Sequence, residues 1–337
     1  MAMSLEEFLE EWNNSSSYVH VQTSGSTGPP KPMLVEKRRM LNSARITCDF
    51  LGLRPGDTAL LCMSLDYIAG KMMVVRAIER GLKLIVQEPN GHPMAVTQRG
   101  QSLMCSASFA HEGQSPCVTF AAMVPMQVYN SLQVLEERER LKQIKHLIIG
   151  GGAIDDALAD ELKTFPNAVW STYGMTETLS HIALRRLSGP EASEYYTPFP
   201  GVRLSLSDEG CLVINAPEVC SAPLVTNDIA ELSSQNFKIM GRKDNIICSG
   251  GIKIQAEEVE RQLRPYMRVP YLISKRPDSK FGEMVVLLTE GSIDEAREVC
   301  QRVLPKYHQP RAYVHLDRIP LTETGKPARK QAELAIR

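Results

Sequence analysis

Thr23-Ser24-Gly25-Ser26-Thr27-Gly28-Pro29-Pro30-Lys31 is the densest collection of anion-binding groups in this chain. Hydroxyls donate hydrogen bonds, glycines let backbone N–H groups approach an anion, and the lysine ammonium offsets charge. The composition suits a loop that wraps a polyphosphate. It is not a Walker A loop. Counted from Gly25, Pro30 takes the second glycine position and Pro32 the Ser/Thr position. By itself the stretch also suits a flexible connection, so its meaning depends on what lies downstream.

Three later segments carry compatible chemistry. The first is Ser171-Thr172-Tyr173-Gly174-Met175-Thr176-Glu177-Thr178. The second begins at Thr226-Asn227-Asp228, continues at Gly241-Arg242-Lys243-Asp244, and ends in Cys248-Ser249-Gly250-Gly251-Ile252-Lys253-Ile254. The third is Pro320-Leu321-Thr322-Glu323-Thr324-Gly325-Lys326. In this order the four segments resemble the signature set of the adenylate-forming superfamily, which comprises acyl-CoA synthetases, peptide-synthetase adenylation domains and luciferases. The resemblance runs from about residue 20 to about residue 330.

The resemblance implies attack of a carboxylate on the α-phosphate of ATP, giving an acyl adenylate and pyrophosphate, followed by transfer to coenzyme A. Such a site must hold two anions together and stabilise charge at a pentavalent phosphorus. The cofactors it implies are ATP and Mg2+, with coenzyme A as co-substrate. Thr23, Ser24, Gly25, Ser26, Thr27, Gly28 and Lys31 would hold the β- and γ-phosphates. Thr176 would donate to the α-phosphate, and Glu177 would be the Mg2+ ligand, since one carboxylate plus substrate phosphates is the usual way that ion is held. Tyr173 and Gly174, with Gly151, Gly152 and Ala153, would line the adenine. Asp228 would grip both ribose hydroxyls, because a carboxylate accepts two hydrogen bonds, and Arg242 would support it. Asp244 matches the hinge, and Gly250 and Gly251 the loop along the pantetheine tunnel. Lys326 matches the lysine that bridges the carboxylate and the α-phosphate during adenylation.

Two departures from the family pattern stand out. Where the family has Thr-Gly-Asp this chain has Thr-Asn-Asp, a mild change if the position needs a positive φ that Asn tolerates. In Leu65-Asp66-Tyr67-Ile68-Ala69-Gly70, Tyr67 stands in the place of a histidine common in CoA ligases. Ser180 and His181 follow the Thr-Glu pair and are expected to face the acyl group, although His181 equally suits a satisfied core histidine.

Within the superfamily the chain most resembles the o-succinylbenzoate–CoA ligases of menaquinone biosynthesis, by its size and by the course from Gly70 through Gly150-Gly151-Gly152 to Tyr173. That substrate leaves a benzoate carboxylate unreacted, so its pocket needs a cationic or hydrogen-bonding group. By motif position Tyr67, Ser180 and His181 are the nearest candidates. Other small aryl- or fatty-acid–CoA ligases, a carrier-loading adenylation enzyme and a non-catalytic nucleotide-binding scaffold are the competing readings. A carrier-loading enzyme would need an Asp for an α-amino group, and Asp66 is the nearby candidate.

Composition narrows the partners. A formal net charge of −1 offers no basic excess to collect nucleic-acid or membrane phosphates. The expected partners are a small carboxylate and coenzyme A, with no nucleic acid and no membrane, and with self-association left open. The eight cysteines form no C-x-x-C pair and no zinc spacing with histidine, and most sit in apolar runs and read as buried reduced thiols. The acidic start, Met1-Ala2-Met3-Ser4-Leu5-Glu6-Glu7, has no signal-peptide apolar stretch. A cytoplasmic protein is the expectation.

The elements that must position these residues alternate between strand and helix. Apolar residues at helical spacing predict a helix over 4–12. Strands are expected over 18–22, 58–63, 82–87, 118–124, 146–149 and 169–173, with helices over 35–52, 67–80 and 126–143 and another starting near Asp155-Asp156. From about 196 the pattern turns to short strands, at 202–207, 210–215, 230–232 and 237–240. Beyond 244 come strands at 246–248, 270–274 and 284–289 and helices at 256–264 and 293–303. The expected fold is therefore α/β: a large layered N-terminal domain with a β-rich subdomain (1–243), plus a small mobile α+β domain (244–337) that carries Lys326. Against the usual family layout, most of the first third, upstream of the phosphate loop, is missing.

Overall fold

Strands with apolar residues on both faces need cover on both faces, and the central sheet has it. The computed structural model describes residues 3–22, 32–95, 118–152, 154, 156–322 and 327–336. Helix α1 (Leu5–Asn13) opens with a reciprocal capping box between Ser4 and Glu7 and buries Phe8 and Trp12. Strands β1 (Tyr18–Gln22) and β2 (Pro32–Glu36) form an antiparallel hairpin whose last pair is Gln22 with Pro32. The phosphate-loop residues Thr23, Ser24, Gly25, Ser26, Thr27, Gly28 and Lys31 lie outside the described residues. Residues 35 and 36, expected to begin a helix, are therefore strand, and α2 (Lys37–Leu51) starts after them. Pairing with β1 overrides local helical preference there.

The large sheet then builds up from β3 (Thr58–Leu61), α3 (Ile68–Arg80), β4 (Lys83–Val86), β5 (Phe120–Met123), α4 (Pro125–Leu132), α5 (Leu135–Gln143), β6 (His146–Ile149), α6 (Asp156–Lys163), β7 (Ala168–Gly174), β8 (His181–Arg186) and β9 (Thr197–Pro198). Its order is β4-β3-β5-β6-β7-β8-β9, parallel through β7 and antiparallel after it. Alternate residues point to opposite cores. Ala59, Leu61, Phe120, Ala122 and Ile148 meet the residues of α2 and α3. Leu60, Ala121, Met123, Leu147 and Ile149 meet α4, α5 and α6.

One helix expected over 126–143 is two. Gln133 is still helical, but Val134 turns to φ −114°, ψ 117°. The cause is tertiary. Gln127 donates to the carbonyls of Cys62 and Asn90, and Asn130 to that of Gly91, which holds α4 against the loops below. Leu141 of α5 is buried in the second core, and a straight helix would not serve both.

An antiparallel meander follows: β10 (Arg203–Leu206), β11 (Cys211–Asn215), β12 (Leu224–Ser233) and β13 (Asn236–Arg242). Its Leu212, Ile214, Ala230 and Phe237 join the same core as α2 and α3. After a 3-10 turn at Lys243–Asn245 comes a second mixed sheet: β14 (Ile246–Ser249), β15 (Ile252–Gln255), β16 (Tyr271–Asp278), β17 (Gly282–Thr289) and β18 (Ala312–His315). Helices α7 (Ala256–Leu263) and α8 (Ile293–Val303) cover one face, and α9 (Arg329–Leu334) the other. The sequence pattern did not reveal β18 or α9. Arg329 at the head of α9 donates to both carboxylate oxygens of Glu260 on α7, at 3.0 and 2.7 Å, and so anchors the chain three residues past Lys326. Lys326 itself lies outside the described residues, between Thr322 and Pro327, and Pro327 pairs back with Leu321. Among the described residues no helix is long and apolar enough to cross a membrane.

Candidate active site

Gly151, Gly152, Gly174, Thr176 and Glu177 lie at the carboxyl ends of β6 and β7, where open parallel sheets place their ligand crevice. These strands are neighbours, with Ile149 opposite Ser171. Gly151 and Gly152 follow β6 and pack against Val124 and Pro125 at the start of α4. Ala153 is outside the described residues. Gly174 ends β7, and a Cβ there would lie 2.2 Å from the Ser180 carbonyl oxygen, so only glycine lets the 174–180 turn close. Thr176 and Glu177 occupy the 3-10 turn that follows, Thr176 buried and Glu177 exposed. Thr178 braces this turn by accepting from the Met175 N–H at 2.9 Å.

The ribose-type cluster forms across two strands. Asp228 on β12 and Arg242 on β13 are direct cross-strand partners, which is why residues fourteen apart in sequence meet. Arg242 Nη1 donates to Asp228 Oδ1 at 3.0 Å, and the Tyr173 hydroxyl donates to Asp228 Oδ2 at 2.7 Å. Burial and the neighbouring carboxylate push the Tyr173 hydroxyl pKa up, so it stays a donor. The Tyr173 ring sits 5.1 Å from that of Phe237 and 5.8 Å from that of Tyr196. Arg242 Nη2 reaches Asp244 Oδ2 at 3.0 Å.

One expectation needs correcting here. Asn227 does not adopt a positive φ: among the described residues only Leu179 and Ser234 do so without being glycine. Asn227 lies within β12, and its amide donates to Asp244 at 3.2 Å. Its role is a side-chain contact, not a backbone conformation.

Gly250 and Gly251 form the β14–β15 turn with φ of 59° and 83°, and Gly250 rests against Phe281. Tyr67 precedes α3 as its cap residue and is partly exposed. Gly70, in the first turn of that helix, lets the backbone approach the Ser64 carbonyl, because a Cβ would stand 2.2 Å from it. Asp66 is already engaged, accepting from the Met3 N–H and the Ser64 hydroxyl at 2.9 Å each. It is a local brace, which weakens the α-amino-acid reading.

The residue that motif reading missed is Arg76. It lies on α3, only 1% exposed, with no carboxylate partner among the described residues. Its Nη2 donates to Ser180 Oγ at 2.7 Å, while its Nε has no hydrogen-bond partner. Burial pulls the guanidinium pKa down to about 10, still charged at neutral pH. The available signal was a lone charge inside the apolar run Met72-Met73-Val74-Val75-Arg76-Ala77-Ile78. Ser180 also contacts His181, which is buried, with both ring nitrogens in hydrogen bonds, to Ser180 and Thr47. Burial first, and the Arg76 charge second, hold its pKa well below the usual 6.5. The core reading of His181 is therefore the structural one, although the residue still backs Ser180.

No three metal-ligating side chains converge among the described residues. An ion at Glu177 would complete its shell from phosphate and water oxygens, the usual arrangement for Mg2+.

Comparison with known proteins agrees with this geometry. The AMP-binding enzyme family matches residues 9–218. The 2-succinylbenzoate–CoA ligase of Enterococcus faecalis is 26% identical over 97% of this chain and 71% of its own length. That of Listeria monocytogenes is 24% identical over 96% and 71%. Among solved structures, an acyl-CoA synthetase (AMP-forming)/AMP-acid ligase II-like protein from Dyadobacter fermentans is 32% identical, with a TM-score of 0.63 over 98% of this chain and 92% of that one. The o-succinylbenzoate CoA synthetase of Bacillus subtilis, in complex with ATP and magnesium ion, superimposes with a TM-score of 0.72 over 93% of this chain and 69% of that one, at 21% identity, and so shares the fold. With a match across more than half of its length, the chain belongs to the AMP-binding enzyme family.

Proposed function

We propose that this protein is an AMP-forming acid–CoA ligase and that its acid is o-succinylbenzoate. The observation that carries the substrate is Arg76. A buried guanidinium without a carboxylate costs several kcal/mol unless something compensates it. A substrate with a second carboxylate supplies that partner, and the named relatives act in the same sense.

The residues divide the work. Asp228 accepts from the ribose hydroxyls, with Arg242 and the Tyr173 hydroxyl holding both its oxygens in place. The backbone at Gly151, Gly152 and Gly174 would line the adenine, and Thr176 donates to the α-phosphate. The 23–31 loop takes the β- and γ-phosphates. Mg2+, held by Glu177 and phosphate oxygens, would supply charge neutralisation. The succinyl carboxylate oxygen attacks the α-phosphorus, pyrophosphate leaves, and Lys326 bridges the two reacting groups. The small domain then turns about Asp244, with the boundary at 243/244. The CoA sulfur, entering past Gly250 and Gly251, attacks the acyl carbonyl, loses its proton and expels AMP.

Pyrophosphate release across a carboxylate panel tests this reading. Turnover of o-succinylbenzoate should exceed that of benzoate or hexanoate by about tenfold or more, or ~1.4 kcal/mol of differential transition-state binding. Equal turnover of the monocarboxylates removes the substrate assignment and leaves the general acid–CoA ligase.

A further inference from the structure

Four side chains behind the acyl region form one hydrogen-bonded series. Arg76 Nη2 donates to Ser180 Oγ at 2.7 Å. Ser180 Oγ lies 3.1 Å from His181 Nδ1, and His181 Nε2 lies 3.2 Å from Thr47 Oγ1. Thr47 Oγ1 donates to the Ser43 carbonyl one turn back on α2, at 3.1 Å. Arg76, His181 and Thr47 are all buried, and Ser180 is partly exposed.

The direction of each bond follows from counting protons. A guanidinium only donates, so Ser180 Oγ accepts from Arg76. Thr47 gives its single proton to Ser43, a bond common for threonine in helices. Thr47 Oγ1 must then accept from His181, which places the ring proton on Nε2. Nδ1 is left bare and takes the Ser180 proton. The opposite order, with Thr47 donating to Nε2, leaves the Ser180 proton with no acceptor in the series. It also turns an N–H, not a lone pair, toward the Arg76 side. Arg76 is the charged group facing this ring, and a doubly protonated imidazole beside it is disfavoured.

We propose that Thr47, a residue outside every motif, is a positioning residue for the acyl site. By accepting from Nε2–H it fixes the His181 tautomer, and His181 in turn draws the Ser180 proton inward. Ser180 then offers Arg76 only a lone pair, and an incoming carboxylate meets the unpartnered Nε–H of Arg76 with no competing hydroxyl donor. The inference rests on the reading that Arg76 receives a substrate carboxylate. Thr47→Val keeps the shape and removes the acceptor. A buried Nε2–H would then lack a partner, so the ring shifts to the Nδ1–H form and donates to Ser180 Oγ. The Ser180 proton swings out toward the substrate, and the Arg76 contact weakens.

Nitrogen-15 NMR of histidine-labelled protein, with His181→Gln to assign the signal, reads the tautomer directly. The wild type should show Nε2–H, Thr47→Val should show Nδ1–H, and Thr47→Ser should restore Nε2–H. In kinetics Thr47→Val should raise KM for o-succinylbenzoate about fivefold, the size of one lost neutral hydrogen bond, with a much smaller change in kcat. Thr47→Ser should recover KM. A wild-type ring carrying its proton on Nδ1, an unchanged tautomer in Thr47→Val, or a switched tautomer with unchanged KM each overturns the proposal. So does equal loss of kcat and KM that Thr47→Ser fails to rescue. The NMR measurement does not depend on which acid is activated, so failure of the substrate reading would show separately, as absent turnover by the wild type.

Discussion

Arg242 reaches Asp244 Oδ2 through Nη2 at 3.0 Å while its other arm holds Asp228 at the same distance. One guanidinium thus joins the carboxylate proposed for the ribose to the residue proposed as the hinge, and Asn227 adds a second contact to Asp244. On that proposal, nucleotide grip and domain orientation would share a side chain.

Arg242→Lys removes the planar fork that spans both carboxylates. The pair with Asp228 is partly solvated, so the loss is moderate: kcat/KM for ATP should fall about tenfold, or ~1.4 kcal/mol. Initial rates against ATP concentration measure it. An unchanged value would mean that Asp228 needs no support.

Asp244→Pro fixes φ near −65° in the turn and removes the contact with Arg242. One half-reaction should persist while the other collapses. Asp244→Ala, which loses the same carboxylate without fixing φ, should retain both at reduced rate. Pyrophosphate exchange and thioester formation from supplied acyl adenylate measure the two halves. Equal loss of both in the folded proline variant speaks against turning at this residue.

Lys326→Ala should abolish pyrophosphate exchange yet still convert acyl adenylate to thioester. Gly251→Trp should do the reverse, because the Cβ direction at Gly251 opens onto free space that a bulky ring would fill. Survival of thioester formation in the tryptophan variant would place the CoA route elsewhere.

Arg76→Met tests a conflict between stability and function. Replacing an uncompensated buried charge by an apolar chain of similar length is neutral or stabilising by ~1–4 kcal/mol. The melting temperature should hold or rise while kcat/KM for o-succinylbenzoate falls by about tenfold or more. A fall in melting temperature with unchanged kinetics would make Arg76 structural.

His181 contributes a pH limb to stability. Its folded pKa is depressed, so between the ordinary 6.5 and the lower folded value the unfolded chain binds a proton that the native protein does not. Stability therefore falls as pH falls below 6.5, by up to about 1.4 kcal/mol per pH unit from this group. His181→Gln keeps an amide donor toward Thr47 and does not titrate. Denaturation midpoints from pH 7 to pH 5 should decline less steeply in this variant than in the wild type, and parallel slopes would refute the assignment.

The sequence by itself determined the family and the strand–helix alternation that carries its motifs. The roles proposed for Thr176, Glu177, Asp228 and Arg242 follow from resemblance to those motifs, and the structure adds the contact between Asp228 and Arg242. The break between α4 and α5, the strand placement of Asn227, and the meeting of Arg76 with Ser180 and of His181 with Thr47 were decided only in three dimensions. Arg76 and Ser180 stand 104 positions apart, and Thr47 and His181 stand 134 apart. Their contact depends on how α2 and α3 pack across the sheet onto the start of β8. No local pattern encodes that packing, because it is set by the shapes of buried side chains that one strand face shares with two helices.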